Sequence, residues 1–183
     1  TNPMMVYFGQ ELGERGMDCE GFSGQDGRTT IFDYWTVDSL RRWDNDGHFN
    51  TGLLTPEECE LRAYYLHVLN LCRREKALAE GQFFDLMYVN TDNWAMNAHR
   101  QYAFLRKSKK EVLLVVVNFD AAEAHISLNL PQHAFESFEM APQEKCKAKD
   151  LMTGKAETLS FTWEHPVALD LPGYGAKILK IKC

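Results

Sequence analysis

Downstream of Gly81 the apolar residues stop recurring every three to four positions and begin to alternate. A period of two matches a pleated strand with one buried face and matches no helix. Segments with this pattern, or with a short unbroken apolar run, occur at 84–89, 102–106, 111–118, 124–130, 145–151, 157–163, 167–171 and 176–181. Turn-forming residues separate them at 107–110, 120–122, 152–155 and 172–175. Many short strands at this spacing predict a mainly β domain, an antiparallel Greek-key β-sandwich, over 82–183.

Upstream the signals differ. Met4-Met5-Val6-Tyr7-Phe8 is an apolar run without alternation, as expected of a strand buried on both faces, and Gly9 ends it. Gly13, Gly16, Gly21, Gly24 and Gly27 make the following stretch a long loop. A short helical pattern covers 37–44. The sharpest local signal is a helix over 56–80. Thr55 can cap it, Pro56 suits its first position, and Glu58 completes a capping box. Leu61, Tyr65, Val68 and Cys72 then recur at helical spacing, with Tyr64, Leu69 and Leu71 widening the stripe. Gly81 is expected to end the helix in a left-handed conformation. The chain therefore divides at 1–81 and 82–183. Charge divides with it: residues 1–80 hold 14 of the 26 acidic and 8 of the 20 basic side chains, which leaves 12 of each for the remainder. A single strand and helix are an incomplete α/β unit, because a parallel-type strand needs neighbours for its backbone groups.

Several motifs carry a resemblance. Tyr7-Phe8-Gly9-Gln10-Glu11-Leu12-Gly13 resembles the eighth-strand segment of the α-amylase family, glycoside hydrolase family 13. Residues 24–35 look like the loop that follows in one bacterial branch, and the capped helix matches the eighth barrel helix. Tyr102–Arg106 with Leu113–Phe119 resembles the start of the family's C-terminal β-domain, and Leu171–Leu179 its last hairpin. The resemblance implies that 1–81 is a helical remnant of a (β/α)8 barrel and that 82–183 is the amylase-type C-terminal domain. It implies a parent acting on α-glucan or maltooligosaccharide by retaining chemistry. That chemistry needs two carboxyl groups about 5 Å apart. In the family these groups lie on the fourth and fifth strands, so no catalytic residue carries over. What carries over is Gly9, Gln10 and Glu11, expected at the rim of the cleft, with 12–30 as part of its wall. Glu11 reads first as a structural cap or ion-pair partner and second as a substrate contact.

Other chemistries are not supported. The first residue is Thr, so export is not legible. No apolar run reaches the length of a membrane span. No cluster of Lys and Arg suggests nucleic acid; Lys107, Lys109 and Lys110 read as a hairpin tip. Asp44-Asn45-Asp46-Gly47 fails as a calcium loop, because Arg42 and Leu53 fall at ligand positions. Asp18, Glu20, Asp26 and Asp33 read as a solvated loop face. Cys19, Cys59, Cys72, Cys146 and Cys183 form no metal motif and mildly favour a reducing compartment, with Cys72 as a core thiol. His48, His67, His99, His125, His133 and His165 share no evident face with another ligand, and neither metal nor cofactor is expected. Trp94 falls in a loop, 90–98, and is a candidate for stacking on a sugar ring, whereas Trp163 reads as core. Two alternatives to the barrel-supporting role remain: a carbohydrate-binding module and a non-catalytic β-sandwich interaction protein. Apolar residues such as Met4, Met5, Val6, Tyr65 and Val68 are expected to be uncovered and to favour a dimer.

Overall fold

The alternation downstream of Gly81 becomes two antiparallel sheets in the computed structural model, which describes residues 4–14, 37–109 and 111–182. Two compact units divide the chain, Thr1–Leu69 and Asn70–Cys183.

In the second unit one sheet has six strands, in the order β1 (Gln82–Asp85), β2 (Gln101–Ser108), β3 (Glu111–Asn118), β8 (Ala176–Ile181), β5 (Gln143–Asp150) and β6 (Ala156–Phe161). The other pairs β4 (Ala124–Leu128) with β7 (Val167–Leu171). This is the expected mainly antiparallel all-β architecture. Residues 113–117, an unbroken apolar run in sequence, lie in β3 with both faces covered. Val112, Leu114 and Val116 join Leu105, Leu128, Phe135, Phe161 and Leu179 in the main core. Leu113 and Val115 join Leu71, Ala77, Leu151 and Ile178 in a second cluster.

The helix expected over 56–80 breaks in two. α2 runs Pro56–Arg74 and α3 runs Lys76–Glu80, with Glu75 extended between them. The break follows from side-chain bonding. The Glu75 carboxylate accepts from Lys180 Nζ at 2.6 Å and from Arg74 Nε at 2.9 Å. Burial raises its pKa, but these two hydrogen bonds outweigh burial and hold the group below the ordinary carboxylate range. The turn of the chain lets α3 lay Ala77 against the outer face of the sheet. The buried Arg106 guanidinium then donates to the Ala77 and Leu78 carbonyls, each at 2.9 Å, and satisfies the last carbonyls of α3. Gly81 is not left-handed; its φ is −69°. Glycine is required there by space, since a Cβ would stand 2.4 Å from the Ala77 oxygen and 2.7 Å from the Lys107 oxygen.

Other expectations change in detail. The run 84–89 is a strand only to Asp85, whose carboxylate accepts from the Met87 amide at 2.9 Å and starts a 3-10 turn, Met87–Val89. The short helix α4, Gln132–Ser137, follows Pro131 and buries Ala134 and Phe135; its six residues are too few to display a helical period in the sequence. Trp163 is half-exposed in a loop, edge-on to Phe135 at 5.1 Å, rather than core. Cys72 is half-buried, whereas Cys146 is the buried thiol of the sandwich.

In the first unit α1 (Asp38–Asp44) ends in a turn where the Gly47 amide donates to Asp44 Oδ2 at 3.3 Å, as the turn reading of Asp44–Gly47 required. The strand expected at 4–8 does not form: Met4–Tyr7 has no regular structure, and among the described residues no strand pairs with it. No neighbouring strand among the described residues offers a ladder, and the Tyr7 amide donates instead to Gln10 Oε1 at 3.0 Å. The Gly-rich loop beyond Glu14, with Asp18, Glu20, Asp26 and Asp33 and the motif at 24–35, lies outside the described residues, as do Lys110 and Cys183. No described helix is long and apolar enough to cross a membrane.

Two glycines separate space from backbone conformation. Gly81→Ala is expected to destabilise the second unit by about 2–4 kcal/mol, since the clash is with backbone. Gly154, with φ of 78° and nothing within 4 Å of a Cβ, is expected to tolerate Asn at a cost of a few tenths of a kcal/mol. Urea melts of the two variants check the difference.

Candidate functional site

Gly9 decides the local path of the segment expected at a cleft rim. Its φ is 76°, and a Cβ would meet the Glu14 Cβ at 2.8 Å, so only glycine fits on both counts. The chain then tightens into a single 3-10 turn, Gln10–Leu12, closed by the Leu12 and Glu14 amides donating to the Gly9 carbonyl. Gln10 is a brace within this unit. Its side-chain oxygen accepts from the Tyr7 amide at 3.0 Å, and its Nε2 donates to Tyr65 Oη of α2 at 2.8 Å. Ser39 of α1 donates to Glu14 at 2.9 Å. These bonds, with buried Leu12, fasten the turn to both helices.

Beside the turn lies a groove of about 790 Å³. Val6, Phe8, Gly9, Glu11, Leu40, Trp43, Asp44, Arg62, Tyr65 and Leu69 are among its lining residues. The Arg62 guanidinium lies 4.0 Å over the Trp43 ring, a cation–π contact. Glu11 makes no hydrogen bond or ion pair among the described residues. Asp44 is engaged with the Gly47 amide. An apolar groove with an indole, a phenol and a few charged groups suits the binding of a hydroxyl-rich molecule with apolar faces. No hydrogen bond links Glu11 to Asp44 among the described residues, and no nucleophile with a paired base is present there.

Behind the groove, Glu58 of α2 is the most constrained acid. The expected capping box forms: the Glu58 amide donates to Thr55 Oγ1 at 3.2 Å, and the Thr55 amide to Glu58 Oε2 at 2.9 Å. Arg42 of α1 adds a bidentate pair, its Nε at 3.0 Å from Oε2 and its Nη2 on Oε1. The hydrogen bond from Arg42 lowers the Glu58 pKa, and the Thr55 amide adds to the effect against burial.

Trp94 belongs to the second unit. Its side chain is 98% exposed, and the loop around it is built on Asn90 and Asn93.

Comparison with known proteins follows from this fold. The family described as alpha amylase, C-terminal all-beta domain, matches residues 91–182. The chain belongs to the alpha-amylase C-terminal all-beta domain family. No curated protein matches the sequence. Among solved structures, AmyP in complex with maltotriose is 18% identical, with a TM-score of 0.58 over 96% of this chain and 31% of that one. The α-amylase of Geobacillus thermoleovorans complexed with acarbose is 15% identical, with a TM-score of 0.55 over 97% and 29%. The trehalulose synthase MutB of Pseudomonas mesoacidophila MX-45 is 22% identical, with a TM-score of 0.50 over 95% and 34%. At these identities the likeness is one of fold. The chain spans about a third of the length of these structures.

Within this amylase-type chain the structure brings Gly9, Gln10 and Glu11 together with Trp43, Arg62 and Tyr65. In the sequence Tyr65 falls in the apolar stripe of the 56–80 helix, Trp43 beside the apolar face of the 37–44 pattern, and Arg62 in no motif. Their spacing on separate helices offered no signal of a shared groove. The histidine reading also needs correction. His165, Glu164 and Glu144 place one donor atom each within 4.8 Å of the others, because β5 lies beside β6 and the loop that follows. All three are exposed, an arrangement common on protein surfaces without an ion.

The Arg42–Glu58 pair has a pH signature. Its folded pKa is depressed, so its stabilisation is present above the unfolded carboxylate pKa and is lost as pH falls through the folded value. Amide exchange at Glu58 and Cys59, corrected for intrinsic rates, should accelerate on acidification below the ordinary carboxylate range. In Glu58→Gln that acid-dependent acceleration should disappear.

Proposed function

We propose that this chain is the end of an α-glucan-acting, α-amylase-type glycoside hydrolase. Residues 1–81 would be the last part of its catalytic barrel, and 82–183 the β-domain that supports it. The single observation that carries this reading is the match of the amylase C-terminal domain to residues 91–182. The likeness to AmyP over 96% of the chain supports extending it to the residues upstream. The substrate class rests on neighbours that hold maltotriose and acarbose.

The chain alone is inactive in this reading. Retaining hydrolysis needs a nucleophile and an acid fixed about 5 Å apart on a rigid scaffold. The groove carboxylates are Glu11, on a single 3-10 turn, and Asp44, at the end of a seven-residue helix. The role of Gly9, Gln10 and Glu11 is to shape a cleft rim whose reacting groups come from other strands. Maltoheptaose incubated with the pure chain should show no new reducing ends above buffer; sustained turnover would overturn the proposal.

Exposed apolar residues favour a missing neighbour over an autonomous interaction protein. Met4 and Met5 are 74% and 78% exposed, and Tyr64, Leu66 and Leu69 of α2 are also uncovered. Light scattering should show a mass that rises with concentration toward a dimer. Leu66→Lys with Leu69→Lys should restore the monomer. A monomer at every concentration would argue against an uncovered packing surface.

A further inference from the structure

Trp94 is the one described large side chain left almost wholly in water, at 98% exposure. Four other exposed aromatic residues of the second unit have ring neighbours: Phe83 and Tyr102 lie against Phe104, Tyr88 against Phe84, and Trp163 against Phe135; Phe119 and Tyr174 are exposed to 65% and 73%, less than Trp94. Trp94 has no ring contact, and its indole N–H has no acceptor among the described residues.

The loop that presents it is held tightly. Asn90 is fully buried and donates through Nδ2 to the Leu86 and Asn129 carbonyls at 2.7 and 3.0 Å, while the Asn129 amide donates to its Oδ1 at 2.9 Å. Asn93 donates to Asn90 Oδ1 at 2.9 Å and to the Ser127 carbonyl at 2.7 Å, and accepts from the Ala95 amide at 3.0 Å. The Ser127 amide of β4 returns a bond to the Ala95 carbonyl at 3.2 Å. Residues 93 and 95, on either side of the indole, are thus tied to the sandwich. Buried Met96 anchors the exit. A rigid aromatic on a fastened backbone loses little entropy when it binds.

The surroundings select the ligand. A protein-docking patch is a contiguous apolar area. Here Thr91 and Asp92 before the indole and Asn97 after it are exposed and polar, and Met96 is turned inward. One apolar plane ringed by hydroxyl, carboxylate and amide groups matches a pyranose, which has an apolar C–H face and a hydroxyl rim. We propose that Trp94 is a stacking platform for an α-linked glucan, a surface binding site on the β-domain itself. The linkage rests on the proposed α-glucan-acting parent; the platform rests on this loop alone.

The test follows the four indole N–H signals of labelled protein, with Trp94 assigned by Trp94→Phe, while maltoheptaose or β-linked cellohexaose is added. Trp94→Ala should melt with the parent chain, since the side chain touches nothing. The expected result is a saturable shift of the Trp94 signal at millimolar maltoheptaose and about a tenfold loss of affinity in Trp94→Ala. Cellohexaose should bind at least about tenfold more weakly. No shift at Trp94, or maltoheptaose affinity unchanged in Trp94→Ala, would remove the site. Equal response to cellohexaose would remove the α-glucan assignment. A Trp94 shift that tracks protein concentration without sugar would assign the indole to self-association and overturn the proposal. New reducing ends in the same tubes would instead report failure of the inactive-fragment reading.

Discussion

Burial of β3 on both faces is the constraint on which the second unit depends. Val112, Leu114 and Val116 need the sheet β4–β7 and the helix α4 above them, while Leu113 and Val115 need cover below. Each such side chain contributes about 1.5–3 kcal/mol when removed from water. A sandwich with one solvated outer face would leave the lower residues wet. The end of α2 and the whole of α3 supply the missing cover, so a helical segment becomes part of the β-domain's core.

That cover demands a turn in the helix, and buried polar groups make it. The Glu75 carboxylate engages Lys180 of β8 and its neighbour Arg74, so a charge removed from water keeps its partners. Arg106, projecting from the same sheet face, donates to the Ala77 and Leu78 carbonyls of α3. Gly81 then permits the close approach of three backbone segments. Packing, charge pairing and steric clearance agree at one place, which is why a chain with helical periodicity through residue 80 does not run straight.

The first unit is organised by hydrogen bonds more than by apolar burial. Gln10 joins the 3-10 turn to α2, Ser39 and Glu14 join it to α1, and Arg42 joins α1 to the capping box of α2. The groove beside them is what remains between a single 3-10 turn, the short α1 and the first part of α2. Its aromatic and charged lining suits a sugar, but its carboxylates lack the paired setting that bond cleavage requires.

The sequence by itself determined the local outcomes. An unbroken apolar run placed β3, and apolar segments bounded by turn residues placed β7 and β8, to the residue; Thr55 and Glu58 formed their box, Gly9 turned the chain left-handed, and the order of motifs pointed to the amylase family. These depend on neighbours a few positions apart, or on backbone conformation open to glycine. Only the tertiary structure decided where α2 breaks, why Gly81 must lack a Cβ, that Met4–Tyr7 forms no strand, and that Trp43, Arg62 and Tyr65 line one groove with Glu11. For the break, the glycine and the groove, a deciding partner lies tens of residues away: Lys180 for Glu75, Lys107 for Gly81, and Glu11 for Trp43, Arg62 and Tyr65. A hydrogen bond, a clash or an uncovered face has no periodicity for a single segment to display.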